Sequence, residues 1–226
     1  MNFFKMIQIH IVKCPSHQRM DELIFRKLCN SDIAAVRHML EDIWEIDKFT
    51  AGDSKTANNI ISSILYNDLA SQNYSEVAVL DGKVVGVLLA RIKINKQTHI
   101  IWSLKSKYHS FCLKTFRKGN DGCSEYLKVD NSFKKLLAQN TSDSELIFFM
   151  VDDNIRGKGI GKSLLSHYMD ECRSRNINNL CLVTDTQCNY EYYDKNGFTL
   201  EHNDIFRLDL PSGSIEHKTF LYSYRF

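Results

Sequence analysis

Two periods alternate along the chain. Ile24 to Leu28 alternates apolar and polar positions and predicts a short strand, and Asn30-Ser31-Asp32 then supplies helix-capping chemistry. Ile33, Val36, Leu40, Ile43 and Trp44 recur at helical spacing, as do Ile60, Ile61, Ile64, Leu65 and Leu69. They predict two helices separated by a polar loop from Asp47 to Lys55. Val77–Leu80 and Lys83–Ala90 read as strands, and the Asp81-Gly82 between them is a two-residue hairpin signal. Gly86 inside the second strand predicts a bulge or a close approach. Leu146 to Val151 is an unbroken apolar run, as expected of a strand buried on both faces. Ile160, Leu164, Leu165, Tyr168, Met169 and Cys172 then form one face of a helix, and Leu180–Val183 is a second buried strand. Because a helix separates them, these two strands are expected to lie parallel through a right-handed crossover. Tyr190–Lys195 reads as a short helix ended by Asn196-Gly197. Phe198–Leu210 and Ile215–Phe226 read as extended, turning through Pro211-Ser212-Gly213-Ser214. Phe220, Tyr222, Tyr224 and Phe226 alternate and predict one buried strand face.

Two stretches follow neither period cleanly. Residues 92–144 contain helical patches at Tyr108–Phe116 and Ser132–Ala138, broken by Gly119-Asn120-Asp121-Gly122. They read as a partly helical insertion, an ordered lid over one end of the sheet. In residues 1–19, Met6–Val12 reads either as an extra edge strand or as part of a loose extension. The expected organisation is that extension followed by one domain over residues 20–226.

Composition narrows the class. The 226 residues carry a formal charge of +2, too little to argue for a nucleic-acid partner. The seven cysteines form no C-x-x-C pair and no zinc spacing, so reduced thiols and no metal are expected. No apolar run reaches the ~18 residues of a membrane span. The N-terminus lacks the uninterrupted apolar core of a signal peptide. The expectation is a cytoplasmic protein with no membrane partner.

The chemistry concentrates after Val151, where Arg156-Gly157-Lys158-Gly159-Ile160-Gly161 joins a buried strand to a helix. Free amides and the positive end of a helix there favour a phosphate. A P-loop fails because Arg156 stands where its first glycine belongs. A dinucleotide fingerprint fails in both registers, at Lys162 and at Leu164. The pattern R-x-x-G-x-G fits Arg156, Gly159 and Gly161. With Val151 before it, the segment resembles the GCN5-related N-acetyltransferases, the GNAT superfamily. A second motif of that family, N-…-[FY]-Y-x-K-x-G-F, is matched by Asn189 and by Tyr192-Tyr193-Asp194-Lys195-Asn196-Gly197-Phe198. The resemblance covers roughly residues 20–226, with the insertion as a departure.

The resemblance implies an α/β (α+β-like) fold: a mixed, mostly antiparallel twisted sheet of about seven strands, helices on both faces, splayed between the fourth and fifth strands. It implies acetyl-coenzyme A as cosubstrate and direct attack by a primary amine. Backbone groups of Phe149, Met150 and Val151 would meet the pantetheine arm and the thioester oxygen. The amides of Arg156, Gly157, Lys158, Gly159, Ile160 and Gly161 would wrap the pyrophosphate, with Lys162 beside them. Asn189 would contact the coenzyme or cap its helix, and Tyr193 would act as general acid to the thiolate. Glu145, Asp152 and Asp185 are candidate bases, since each flanks a buried strand. Glu41, Asp42, Glu45, Asp47 and Asp53, near Trp44 and Phe49, read either as the lining of a site for a cationic amine or as an ordinary acidic helix face. The acceptor is expected to be a small-molecule or peptide amine, and the protein a monomer or homodimer. A non-catalytic acyl-CoA-binding or regulatory module on the same fold is the alternative.

Overall fold

Among the described residues seven strands form one sheet in the order β1-β2-β3-β4-β5-β7-β6, antiparallel throughout except for the parallel β4–β5 pair. The computed structural model describes residues 22–44, 46–93, 99–115, 121–155 and 157–226; Met6–Val12 and Arg156 lie outside them. The strands are β1 (Leu23–Arg26), β2 (Tyr74–Leu80), β3 (Lys83–Ile92), β4 (Ser144–Val151), β5 (Asn179–Asp185), β6 (Thr199–Leu210) and β7 (Gly213–Arg225). The helices are α1 (Ile33–Trp44), α2 (Asp47–Thr50), α3 (Ser54–Ser71), α4 (Ile100–Thr115), α5 (Asp121–Leu137), α6 (Ile160–Ser174) and α7 (Glu191–Lys195). They lie on both faces of the sheet, as expected.

Local chemistry sets the turns. Asp81 and Gly82 both have positive φ, 50° and 79°, the conformation a tight β2–β3 hairpin needs. The β2–β3 register shifts between Ala78 and Val79, next to Gly86. A Cβ on Gly86 would stand 3.1 Å from a Leu164 methyl and 3.2 Å from one of Ile160, so the glycine lets α6 lie close on β3. The predicted apolar face of α6 is buried against that side of the sheet, and its fully buried leucine contributes about 2 kcal/mol. Tyr168 on this face places its hydroxyl 2.6 Å from Ser144 Oγ at the start of β4.

The other face holds α1 and α3 against Val77, Val79, Val87, Leu89, Phe148 and Met150. The loop expected at 47–55 contains α2, and Asp53 caps α3 by accepting the N–H groups of Lys55 and Thr56. Both insertion helices are longer than their predicted patches. In α4 the large apolar residues Ile100, Ile101, Leu104, Tyr108 and Phe111 face outward, which blurs the burial pattern. In α5 polar residues share the buried face, because hydrogen bonds satisfy them. Ser132 Oγ lies 2.6 Å from Thr219 Oγ1 and donates to Asp204, and Glu125 accepts the Asp209 N–H at 2.8 Å. At its other end a Cβ on Gly122 would sit 1.9 Å from the Phe49 carbonyl oxygen, so only glycine admits α2 there. Helix α5 therefore crosses the sheet from α2 to β6 and β7.

Candidate active site

The two parallel strands part almost at once. β4 and β5 pair only at Ser144–Leu180 and Glu145–Cys181. Beyond those pairs Leu146–Val151 and Leu182–Asp185 run on without pairing to each other, which leaves main-chain groups along the opening. β4 also carries a bulge. Its register with β3 passes from Leu89–Phe148 to Ala90–Leu146, so Ile147 is the extra residue. The irregularity thus falls two residues before the Phe149–Val151 segment singled out from sequence.

At the open end of β4 the chain turns through a short 3-10 segment, Asp153–Ile155, into the glycine loop. Gly157 and Gly159 have φ of 86° and 79°, and a Cβ on either would meet nothing within 4 Å. The loop therefore presents bare backbone to open space. Gly159 is the N-cap of α6, and the helical bonding begins with the Ser163 N–H donating to Gly159. The amides of Ile160, Gly161 and Lys162 consequently have no carbonyl of the helix behind them. A Cβ on Gly161 would lie 3.4 Å from both Phe149 and Val151, so this first turn sits directly on the end of β4. Lys158 and Lys162 are exposed beside it.

The far wall follows β5. Asn189 is exposed, and its carbonyl accepts the Tyr192 N–H. The N-cap of α7 is Tyr190 rather than Asn189, and no side chain caps that helix. Tyr192 reaches across the opening, with its ring 5.9 Å from that of Phe149 on β4, and its buried hydroxyl has no hydrogen-bond partner among the described residues. Tyr193 packs among Phe198, Tyr222 and Tyr192 at 5.5–5.8 Å between centroids. Burial, then the neighbouring Cys188 and Tyr192, lift its phenol well above the ordinary tyrosine value. Burial, then Asp185, pushes the Cys188 thiol up to about 12, which leaves it inert as a nucleophile.

The three candidate bases are dispersed. Glu145 is buried at the closed end of the opening and is ion-paired with Arg91. Asp152 follows β4, where its Oδ1 accepts both the backbone and the side-chain N–H of Asn154. Asp185 ends β5, buried, accepting the Gln187 N–H. Its Oδ2 lies 3.6 Å from Nε2 of His217, a buried imidazole whose ring nitrogens both lack a hydrogen-bond partner among the described residues. This pair stands on the α5 face of the sheet. Neither the His217 contact nor the burial of the Tyr192 hydroxyl was visible from spacing, because both depend on residues that other strands bring in.

The acidic side chains around α1 take structural roles. Glu41 pairs with Arg37 and Asp42 with His38, both within the helix, while Asp53 caps α3. The side chains of Glu45 and Asp47 lie outside the described residues. A cavity of about 530 Å³ lies on the β6–β7 hairpin between Phe206 and Ile215, away from the opening. No group of three or more possible metal ligands occurs among the described residues.

Residues 115–198 match the model of the acetyltransferase (GNAT) family. No curated protein matches the chain in sequence. Solved structures match the fold. One is the PaiA N-acetyltransferase from Thermoplasma acidophilum in complex with coenzyme A, at 14% identity and a TM-score of 0.50, covering 91% of this chain and 99% of that one. Another is the ribosomal-protein-S18-alanine N-acetyltransferase from Escherichia coli, at 12% identity and a TM-score of 0.52, covering 90% and 94%. A third is an agmatine N-acetyltransferase mutant, at 14% identity and a TM-score of 0.53, covering 90% and 100%.

Proposed function

We propose that this chain, which has the GNAT fold and over residues 115–198 the GNAT acetyltransferase pattern, is an acyltransferase that moves acetyl from acetyl-coenzyme A to a primary amine by direct attack. The observation that carries this reading is the splay: β4 leaves β5 beside the bare amides that begin α6, so one continuous surface offers strand edges and an anion site. The residues fit the coenzyme. Gly157 and Gly159 leave the space a diphosphate needs, with the amides of Ile160, Gly161 and Lys162 and the ammonium groups of Lys158 and Lys162 to meet its charge. The backbone of Phe149, Met150 and Val151 would take the pantetheine amides as an added strand does. The coenzyme supplies an activated thioester.

The chain's own residues then manage two protons. An alkyl ammonium, with an ordinary pKa of ~10.4, must lose a proton before it can attack. His217 receives it in this scheme and Asp185 stabilises the imidazolium, because a buried imidazole beside a carboxylate can accept and hold a proton. Tyr193 protonates the departing thiolate, and its raised pKa keeps the phenol a proton donor across the neutral range. Since names among the structural relatives range from an agmatine to an S18-alanine acetyltransferase, the acceptor class is tested with a panel spanning small amines, peptide N-termini and peptide lysines.

Release of free thiol from acetyl-coenzyme A in the presence of such a panel is the test. Turnover with at least one amine is expected. Tyr193→Phe should lower kcat by about a hundredfold and leave coenzyme binding by calorimetry intact. Tyr192→Phe should cost far less. Normal coenzyme binding with no thiol release from any amine would favour the non-catalytic module instead. A Tyr193→Phe enzyme with wild-type kcat removes the phenol from the chemistry.

A further inference from the structure

The insertion between β3 and β4 carries a surface that the acetyl-transfer reading leaves unused. On α4, Ile100, Ile101, Leu104, Tyr108 and Phe111 are 68%, 69%, 62%, 64% and 65% exposed. These five side chains fall on one side of the helix, away from α3, which packs against its other side through Trp102, Leu113 and His109. An apolar stripe of this size on a soluble protein marks a contact site rather than ordinary surface.

Charge identifies the occupant. From Arg91 to Asn120 the sequence holds six lysines and two arginines and no aspartate or glutamate. The whole chain is only +2, so this +8 segment leaves the rest of the chain at −6. Lys105 and Lys107 flank the stripe on its two sides. Lys105 is held at the α3 margin, its ammonium 4.9–5.0 Å from the Trp102 and Tyr66 ring centroids. Ile101, Leu104, Tyr108 and Phe111 have the spacing of a helix-pairing seam, but a second copy of α4 would bring lysine-flanked seams together with no carboxylate to answer them. Nucleic acid is poorly served by a stripe whose centre is isoleucine, leucine and phenylalanine. An apolar centre with cationic margins is the pattern of a helix lying in the plane of an anionic lipid surface.

We propose that α4 is a membrane-surface helix that docks this protein on anionic bilayers through Ile100, Ile101, Leu104, Tyr108 and Phe111, with Lys105 and Lys107 meeting the headgroups. No helix among the described residues is long and apolar enough to cross a membrane, so the contact is peripheral. The five stripe residues are distinct from those proposed to hold the coenzyme, so the two readings are tested separately.

Flotation of the full chain with vesicles tests it. One set is phosphatidylcholine alone and the other contains phosphatidylserine. Binding to the anionic set is expected to exceed binding to the neutral set by about tenfold or more and to weaken as salt is raised. The double variant Leu104→Glu, Phe111→Glu should lose about tenfold or more of that binding, and Lys107→Glu a smaller part. All these side chains are exposed, so unchanged circular dichroism and Tm are expected, and Lys107→Glu keeps the test valid should the double variant misfold. Absent binding to anionic vesicles overturns the proposal, as does binding that none of the variants alters. A solution dimer that Leu104→Glu, Phe111→Glu dissociates, with no capture by vesicles, assigns the face to a second copy instead.

Discussion

Tyr193 and Tyr192 are adjacent in sequence and differ in environment. Tyr193 is wedged among aromatic rings with its phenol pKa raised by burial, while Tyr192 spans to β4 with an unpaired hydroxyl. Motif register separates them in the sequence; packing separates them in space. His217 was not legible in the same way. It is one of eight histidines with no informative spacing, and its neighbours Asp185 and Phe206 come from β5 and β6. If His217 takes the amine proton, His217→Gln should lower kcat by about a hundredfold, with the KM for acetyl-coenzyme A little changed. A His217→Gln enzyme with wild-type kcat would remove the imidazole from the chemistry. A pH effect concerns stability. Burial pushes the Asp68 carboxyl up to about 8, with Glu145 and Asp130 adding to the rise. The folded state then holds this proton more tightly than the unfolded chain does. The stability linked to it is complete below the unfolded value of ~3.9 and is lost as pH rises through about 8. Asp68→Asn should therefore flatten the decline of Tm over that range, and a thermal-melt series across pH reads it directly.

At the level of elements, strong periodicity was readable and weak periodicity was not. β4, α6 and β5 appear where the apolar pattern put them, because each buries a continuous face in the sheet core. The insertion helices were seen only in part. α4 turns its largest apolar groups outward, and α5 buries Glu125 and Ser132 through hydrogen bonds that no single-residue pattern announces. The bulge at Ile147 was equally silent, since it is a property of the β3–β4 register. Two glycines test these elements separately. Gly159 begins α6 at φ 79°, where an alanine is strained by about 1 kcal/mol. If the loop grips the coenzyme and not the amine, as proposed, Gly159→Ala should raise the KM for acetyl-coenzyme A several-fold, more than it lowers kcat. Gly122→Ala forces α5 off the Phe49 carbonyl and should cost about 2 kcal/mol or more, read as a lowered urea midpoint. An unchanged midpoint would mean that α5 does not depend on its contact with α2.

Across the whole molecule, β1–β4 and β5–β7 are two half-sheets joined by only two residue pairs. Two helices span the gap. α6 lies on one face, against β2, β3 and β4 and against Leu180 and Leu182 of β5. α5 lies on the other, tied to α2 at one end and to β5, β6 and β7 along its length. A ligand that lies in the opening would therefore act as a third strap, pairing with strand edges that the fold leaves unpaired. Such a ligand stabilises the folded state by RT ln(1 + [L]/Kd), about 2.7 kcal/mol at a hundredfold excess over Kd. For a domain of this size that is a rise in Tm of roughly 5–10 °C. Coenzyme A should produce this rise, and amide exchange should slow in Leu146–Val151 and in the first turn of α6. A truncated coenzyme lacking the pantetheine arm should keep the protection at α6 and lose it along β4, because its phosphates reach only the glycine loop. An equal rise with both compounds and no slowing in β4 would place the ligand on the loop alone, and the splay would then be a feature of the fold rather than the seat of the reaction.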